Sequence, residues 1–201
     1  MNERQKNEAP TLPAKLFRLW KYRKIKLLNL YNALRFQKAA RKRNADIIVG
    51  RGLRLDRRLA LRLEGSRCRL RLGSGVQSDG AGVIVIGMNG SLTIGDNVYL
   101  NSSVMISCLG NIQIGENTLI GPQVNIFDNN HRFGRDGVSR ECVPGVVTVG
   151  RNCWIAANVI LLDGAQIGDN CVIGAGCVIK GVVPAGTIVT AHQEQHMRAI
   201  E

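Results

Sequence analysis

Through the second half of this 201-residue chain an aliphatic residue recurs every six positions. Four segments share the pattern aliphatic-Gly-x-Asn: Ile94-Gly95-Asp96-Asn97, Ile114-Gly115-Glu116-Asn117, Val149-Gly150-Arg151-Asn152 and Ile167-Gly168-Asp169-Asn170. From them run Ile94, Leu100, Ile106; Ile114, Ile120, Ile126; Val149, Ile155, Leu161; and Ile167, Ile173, Ile179. A period of six is neither the helical nor the simple strand period. Grouped in threes, it is the signature of a parallel β-helix, in which three short strands close one triangular coil. Each aliphatic side chain then points inward and stacks on its counterpart one coil away. Gly and Asn are expected at the corners because they tolerate positive φ. Four residues after each aliphatic, a second inward position takes only small side chains, among them Thr118, Cys153, Ala165, Cys171, Cys177 and Val183.

The breaks in this register locate the candidate site. Coil starts step by 20 residues from Ile94 to Ile114, by 35 to Val149 and by 18 to Ile167. The step of 20 implies two extra residues near Leu109-Gly110. The step of 35 implies a coil plus a loop over 132–146, directly after His131. Loops on a rigid scaffold are where function concentrates. Upstream, Leu70-Arg71-Leu72-Gly73 and Val83-Ile84-Val85-Ile86-Gly87 read as degenerate coils, and strands begin near residue 47. Residues 1–46 form a basic arm, with Leu16, Leu19, Trp20, Leu27, Leu30, Tyr31 and Leu34 at helical spacing. The β-helix is expected over 47–190 and a short C-terminal helix over 191–201.

Charge separates these regions. Residues 1–72 hold 21 of the 27 Lys+Arg and 5 of the 15 Asp+Glu, a balance of +16, whereas the remainder is net acidic. Either the apolar stripe of such an arm packs on the coil and its cations are merely solvated, or the arm meets an anionic lipid surface, an acidic polymer or nucleic acid. The lack of an aromatic-interleaved basic platform or zinc motif argues against nucleic acid. No apolar run approaches the roughly 20 residues that span a bilayer, and the polar opening leads into no signal-peptide core. A cytoplasmic location is therefore expected, with the arm peripheral to the inner membrane face. The six cysteines contain no C-x-x-C pair, so neither a disulfide framework nor a zinc cluster is expected. Cys153, Cys171 and Cys177 share the inward register and read as core filler.

Among single residues, His131 stands where the hexad run breaks into the loop. An imidazole exchanges its proton near neutral pH and suits general-base work. Asp128 lies three residues earlier and is a substrate-site candidate that would orient an acceptor or the imidazole; an ordinary corner Asp is the equal alternative. Trp154 has an outward hexad position in a chain of only 4% aromatics, which favours a ligand or interface contact. His192 and His196 sit at i, i+4 without a third ligand, so no metal site is expected, and a γ-class carbonic anhydrase is disfavoured.

Three stretches carry a family resemblance. They are Leu119-Ile120-Gly121-Pro122-Gln123-Val124-Asn125-Ile126 with Asp128-Asn129-Asn130-His131, then Val149-Gly150-Arg151-Asn152-Cys153-Trp154-Ile155, and Ile167 to Gly176 followed by Pro184. From about Ile86 to Ile200 the chain resembles the left-handed β-helix, hexapeptide-repeat O-acetyltransferases. It looks most like the galactoside and maltose acetyltransferases and their relatives that acetylate capsule, exopolysaccharide and lipopolysaccharide. The resemblance implies an all-β, left-handed parallel β-helix that forms a homotrimer and moves acetyl from acetyl-CoA to a sugar hydroxyl. It implies His131 as general base, and Asn101 and Trp154 at the acceptor site. It implies Ala157 and Ala175 along the pantetheine arm of CoA, and Lys180 and Arg198 near its phosphates. Lys180 is one residue from the usual Lys, and Ala191-His192-Gln193-Glu194-Gln195 departs from the family's Gly-x-Pro-Ala-Lys-like stretch. The other readings of the chain are a small-sugar acetyltransferase, a non-catalytic structural β-helix and an anionic-polymer-binding protein.

Overall fold

The computed structural model describes residues 27, 31 and 32 and the continuous stretch 34–191. The arm before residue 27, with Trp20, and the expected C-terminal helix with His192, His196 and Arg198 lie outside the described residues. Three parallel sheets form the walls of a triangular prism. Face one stacks Asp46–Val49, Arg69–Leu72, Ser91–Ile94, Asn111–Ile114, Val146–Val149, Gln166–Ile167 and Val182–Val183. Face two stacks Gln77–Ser78, Tyr99–Leu100, Leu119–Ile120, Trp154–Ile155, Val172–Ile173 and Ile188–Val189. Face three stacks Leu59–Glu64, Gly82–Gly87, Met105–Cys108, Asn125–Phe127, Ile160–Leu161 and Val178–Ile179. The chain visits one, two and three in turn, then climbs one coil.

The six-residue register becomes three inward columns. Ile94, Ile114, Val149 and Ile167 stack on face one. Leu100, Ile120, Ile155 and Ile173 stack on face two, and Ile106, Ile126, Leu161 and Ile179 on face three. All are buried, as are the small side chains of the second register. Thr118 is the one polar member of that register, and its hydroxyl is satisfied: it donates to Gly150 O at 2.9 Å and accepts from Cys153 N–H at 3.1 Å. Val183 is an exception. It pairs with Ile167 as a strand residue of face one, because the last coil is two residues shorter than the eighteen-residue repeat.

Glycine and asparagine divide the corner work differently from expectation. In aliphatic-Gly-x-Asn it is the Asn that takes positive φ: Asn97, Asn117, Asn152 and Asn170 lie between 54° and 57°. The Gly is needed for space. A Cβ on Gly150 would stand 2.6 Å from the backbone nitrogen of Asp169 in the next coil. The Asn side chains also bond up the corner, Asn97 to Asn117 and Asn152 to Asn170, each at 3.2 Å.

A helix over residues 34–43 closes the first coil. Phe36 is buried and shares a small void with inward side chains of all three faces, including Leu55, Leu59 and Leu72. The helix immediately precedes Asp46–Val49, the terminal strand of face one, so the Phe36 ring fills that end of the prism. Asn32 donates to Leu55 O at 3.2 Å and Arg35 to Arg57 O at 3.2 Å, tying the helix to that end. Burial lowers the Arg35 pKa, and its guanidinium stacks 4.9 Å from the Phe36 ring centroid. Among the described residues no helix is long and apolar enough to cross a membrane.

The segment expected as a loop over 132–146 is an antiparallel hairpin that starts earlier, Asn129–Gly134 paired with Gly137–Pro144. Gly137, at φ +103°, makes the reversal after Asp136.

The corner geometry separates two neighbouring substitutions. Gly150→Ala should cost about 1–3 kcal/mol or more, since it drives a methyl into backbone that cannot step aside. Asn152→Gly keeps the required φ and should stay within about 1 kcal/mol. Urea unfolding of the two variants against the parent chain checks the ordering.

Candidate functional site

The hairpin leaves and rejoins the prism at the corner between faces three and one, and two carboxylates hold its base. Asp128 is completely buried. Its Oδ1 accepts from Leu109 N–H at 2.7 Å and its Oδ2 from Gly110 N–H at 2.9 Å, in the same corner one coil earlier. The extra residues at Leu109-Gly110 thus form a seat for this carboxylate. The Asp128 carbonyl accepts from Gly145 N–H at 2.6 Å, closing the neck of the hairpin. One coil later Asp163 accepts from Val146 N–H at 3.1 Å. Its carboxylate occupies the space that a Cβ on Gly145 would need. Of the two readings of Asp128, orienting residue or corner residue, the structure shows the corner: both carboxylate oxygens are taken up by Leu109 N–H, Gly110 N–H and the Asn129 amide.

His131 lies on the outgoing hairpin strand and is exposed. Its Nδ1 is 3.1 Å from Ser139 O. A carbonyl oxygen only accepts, so in the neutral ring Nδ1 carries the hydrogen and Nε2 keeps its lone pair. That is the tautomer a general base requires. Directly across the ladder stands Cys142, with Sγ 3.8 Å from Nδ1 and 4.0 Å from Nε2. Sequence spacing hid this pairing, because the hairpin brings the two residues back together across a separation of eleven positions. The Asp136-Gly137 dipeptide is the turn signal that could have found it.

The thiols fall into two groups. Cys68, Cys108, Cys153, Cys171 and Cys177 are buried, and Cys142 is exposed. Burial, with the nearby Asp128 carboxylate, pushes Cys108 up to about 12. Burial also raises Cys68 and Cys153.

The other expected site residues lie elsewhere on the prism. Trp154 points outward from face two, 53% exposed, in an apolar column with Leu119 and Ile188. Asn101, Ala157 and Ala175 share the corner between faces two and three. The Asn101 Oδ1 accepts from Ser102 N–H at 2.7 Å, an arrangement that fixes the amide. Ala157 and Ala175 are stacked one coil apart, linked by the Gly176 N–H bond to Ala157 O at 3.0 Å. Their small side chains leave the backbone of this edge open. Lys180 is exposed at the corner that carries the hairpin, two coils further on. Within one chain, then, His131 and Lys180 share one edge, Asn101, Ala157 and Ala175 another, and face three lies between. Among the described residues no group of three or more His, Cys, Asp or Glu side chains is placed to hold a metal.

Residues 147–181 match the family model described as bacterial transferase hexapeptide (six repeats). The chain is 33% identical over 110 residues to the putative lipopolysaccharide biosynthesis O-acetyl transferase WbbJ of Escherichia coli, spanning 50% of this chain and 56% of that protein. It is 32% identical over 99 residues to the galactoside O-acetyltransferase of the same organism, 49% of each chain. The chain thus spans about half the length of the curated relatives it matches. Among solved structures, AntD, an N-acyltransferase from Bacillus cereus in complex with dTDP and 3-hydroxybutyryl-CoA, aligns with a TM-score of 0.57 at 14% identity. The alignment covers 76% of this chain and 81% of that one. The hexapeptide-repeat fold is shown, and the resemblance read from the three stretches is one to named O-acetyltransferases.

Two measurements test this architecture. Asp128→Ala leaves two corner N–H groups without their acceptor and should cost about 2–4 kcal/mol in urea unfolding. An aromatic disulfide reagent should titrate one fast thiol in the native protein and six after denaturation, with the fast one absent in Cys142→Ala.

Proposed function

We propose that this protein is an acetyl-CoA-dependent O-acetyltransferase that acts on a sugar hydroxyl of a surface polysaccharide or its precursor. The observation that carries the reading is the His131 ring, held by Ser139 O in the tautomer that leaves Nε2 free, on a hairpin projecting from a hexapeptide β-helix. The similarity to WbbJ and to galactoside O-acetyltransferase supports the acetyl donor and the sugar acceptor. In the reaction, the acceptor hydroxyl attacks the thioester carbonyl as His131 Nε2 takes its proton. The tetrahedral intermediate collapses, the carbon–sulfur bond breaks, and the imidazolium returns the proton to the CoA thiolate.

The remaining roles follow the family pattern onto this chain. Asn101 contacts the acceptor near the acetyl group, and Trp154 lines the site. Ala157 and Ala175 present backbone to the pantetheine arm, and Lys180 and Arg198 serve the CoA phosphates. His131 and the Asn101–Trp154 side of the prism lie on different edges of one chain. That separation supports a homotrimer in which each site is completed by a neighbouring copy. The exposed Leu119–Trp154–Ile188 column supplies an apolar surface for such packing. The enzyme works in the cytoplasm, where acetyl-CoA is made, with the basic arm peripheral to the inner membrane face.

Cys142 supports a second route, in which its thiolate takes the acetyl group from CoA and passes it to the sugar. The direct route is favoured because neither ring nitrogen is closer than 3.8 Å to the sulfur. His131→Ala should lower kcat by about 10²–10⁴ with little change in CoA affinity. Cys142→Ala should stay close to the parent, followed by release of free CoA thiol with a panel of sugar acceptors. A dead Cys142→Ala, together with an acetyl group trapped on Cys142 by mass spectrometry, would establish the covalent route instead.

A further inference from the structure

The capping helix turns the wrong chemistry outward for a helix that merely closes a core. Asn32, Phe36 and Ala39, at i, i+4 and i+7, face the prism. On the opposite side Leu27, Tyr31 and Leu34 stand 66%, 46% and 57% exposed. They too follow i, i+4, i+7, so they form one stripe. Continuing that stripe bring Lys38, Arg41 and Lys42 onto the same side, and residues 34–43 contain five cations and no acid. The nearest carboxylates on the first coil are engaged, Asp56 with Arg58 at 3.1 Å and Asp46 with Arg71 at 2.9 Å.

We propose that this helix face docks on an anionic membrane surface and stands the prism upright on it. Lys38, Arg41 and Lys42 meet lipid phosphates while Leu27, Tyr31 and Leu34 enter the headgroup–acyl boundary. The apolar half of the stripe decides among polyanions: a soluble acidic glycan or a nucleic acid rewards the cations but gives three exposed hydrophobes nothing to bury against.

The orientation has a consequence for the acceptor, which rests on the acetyltransferase reading above. The helix covers the first coil, and the hairpin rejoins face one at Val146–Val149, four strand spacings from Asp46–Val49. At roughly 4.8 Å per spacing, His131 works about 19 Å further along the prism axis. The helix itself, about 10 Å across, lies between the first coil and the lipid. The acceptor class that fits is a membrane-anchored glycan whose reacting sugar is held about 30 Å from the lipid surface, rather than the sugar joined directly to the lipid.

Full-length protein should float with vesicles of phosphatidylglycerol and phosphatidylcholine, and not with phosphatidylcholine alone. Raising salt should weaken binding. The double variant Leu27→Glu, Leu34→Glu changes only exposed side chains and should lose binding by about tenfold or more. Its hydrolysis of acetyl-CoA and its turnover of soluble sugars should match the parent, whereas acetylation of a vesicle-embedded glycolipid should fall with binding. Absence of flotation at low salt would overturn the proposal. So would flotation that the double variant retains, or tight binding to a soluble acidic polysaccharide that leaves vesicles ignored. Flotation reads docking without catalysis, so a protein that floats but turns over no acetyl-CoA would defeat the transferase reading alone.

Discussion

Everything in this molecule hangs on the close approach of one coil to the next. The backbone ladder between coils fixes a spacing of roughly 4.8 Å, and at that spacing the aliphatic-Gly-x-Asn corner has no room for a side chain at its glycine. The corner glycines answer that demand, while the asparagines two residues later supply the positive φ. Once the corners stack, the aliphatic columns of the three faces are forced into register, and the core fills with Ile, Leu and Val. Aromatic residues are scarce because a triangular tube of this bore is filled by branched aliphatics. Cysteine serves the same economy of volume at Cys153, Cys171 and Cys177, where it stands in for valine and alanine.

A scaffold this regular makes any interruption costly, and the hairpin is one. Leaving the prism strands backbone N–H groups that would otherwise bond coil to coil. Asp128 and Asp163 take up that deficit from the coils on either side, through Leu109, Gly110 and Val146. The buried Asp128 carboxylate is thereby part of the foundation on which His131 stands. The chain departs from its hexad rule at Leu109-Gly110 and at the hairpin together, because one is the seat for the other.

How much of this was legible in the sequence depended on range. The six-residue period reports contacts between successive coils, so it revealed the prism, the inward columns and the position of the insertion. The inward placement of Ile120, Ile155 and Cys171 followed from arithmetic alone. The shortened last coil did not, since Val183 fits the small-residue register as well as the strand it joins. The pairing of Cys142 with His131 was not legible for a different reason: it is made by an antiparallel return, which no period of six records. The helix stripe was legible as apolar, but the side it faces was not. Phe36 and Asn32 won the place against the core, because an aromatic ring plugs the open end of the tube and an amide meets the free carbonyl of Leu55.

Rigidity also bears on why a second copy enters the proposed chemistry. A loop enzyme can fold two remote groups toward each other; a β-helix cannot, because bending the prism breaks ladders on all three faces at once. His131 on the edge between faces three and one, and Trp154 on face two, stay on their own edges in every conformation that keeps the coils stacked. A cleft lined by both must therefore be built between prisms. The apolar column of Leu119, Trp154 and Ile188 runs parallel to the prism axis, as does the edge that bears the hairpin and Lys180. Two such prisms laid side by side bring one edge against the other's face along their full length. An extended donor with a reactive thioester at one end and phosphates at the other suits a groove of that shape. On this reading, association is the only way a straight, stiff scaffold can surround its substrate.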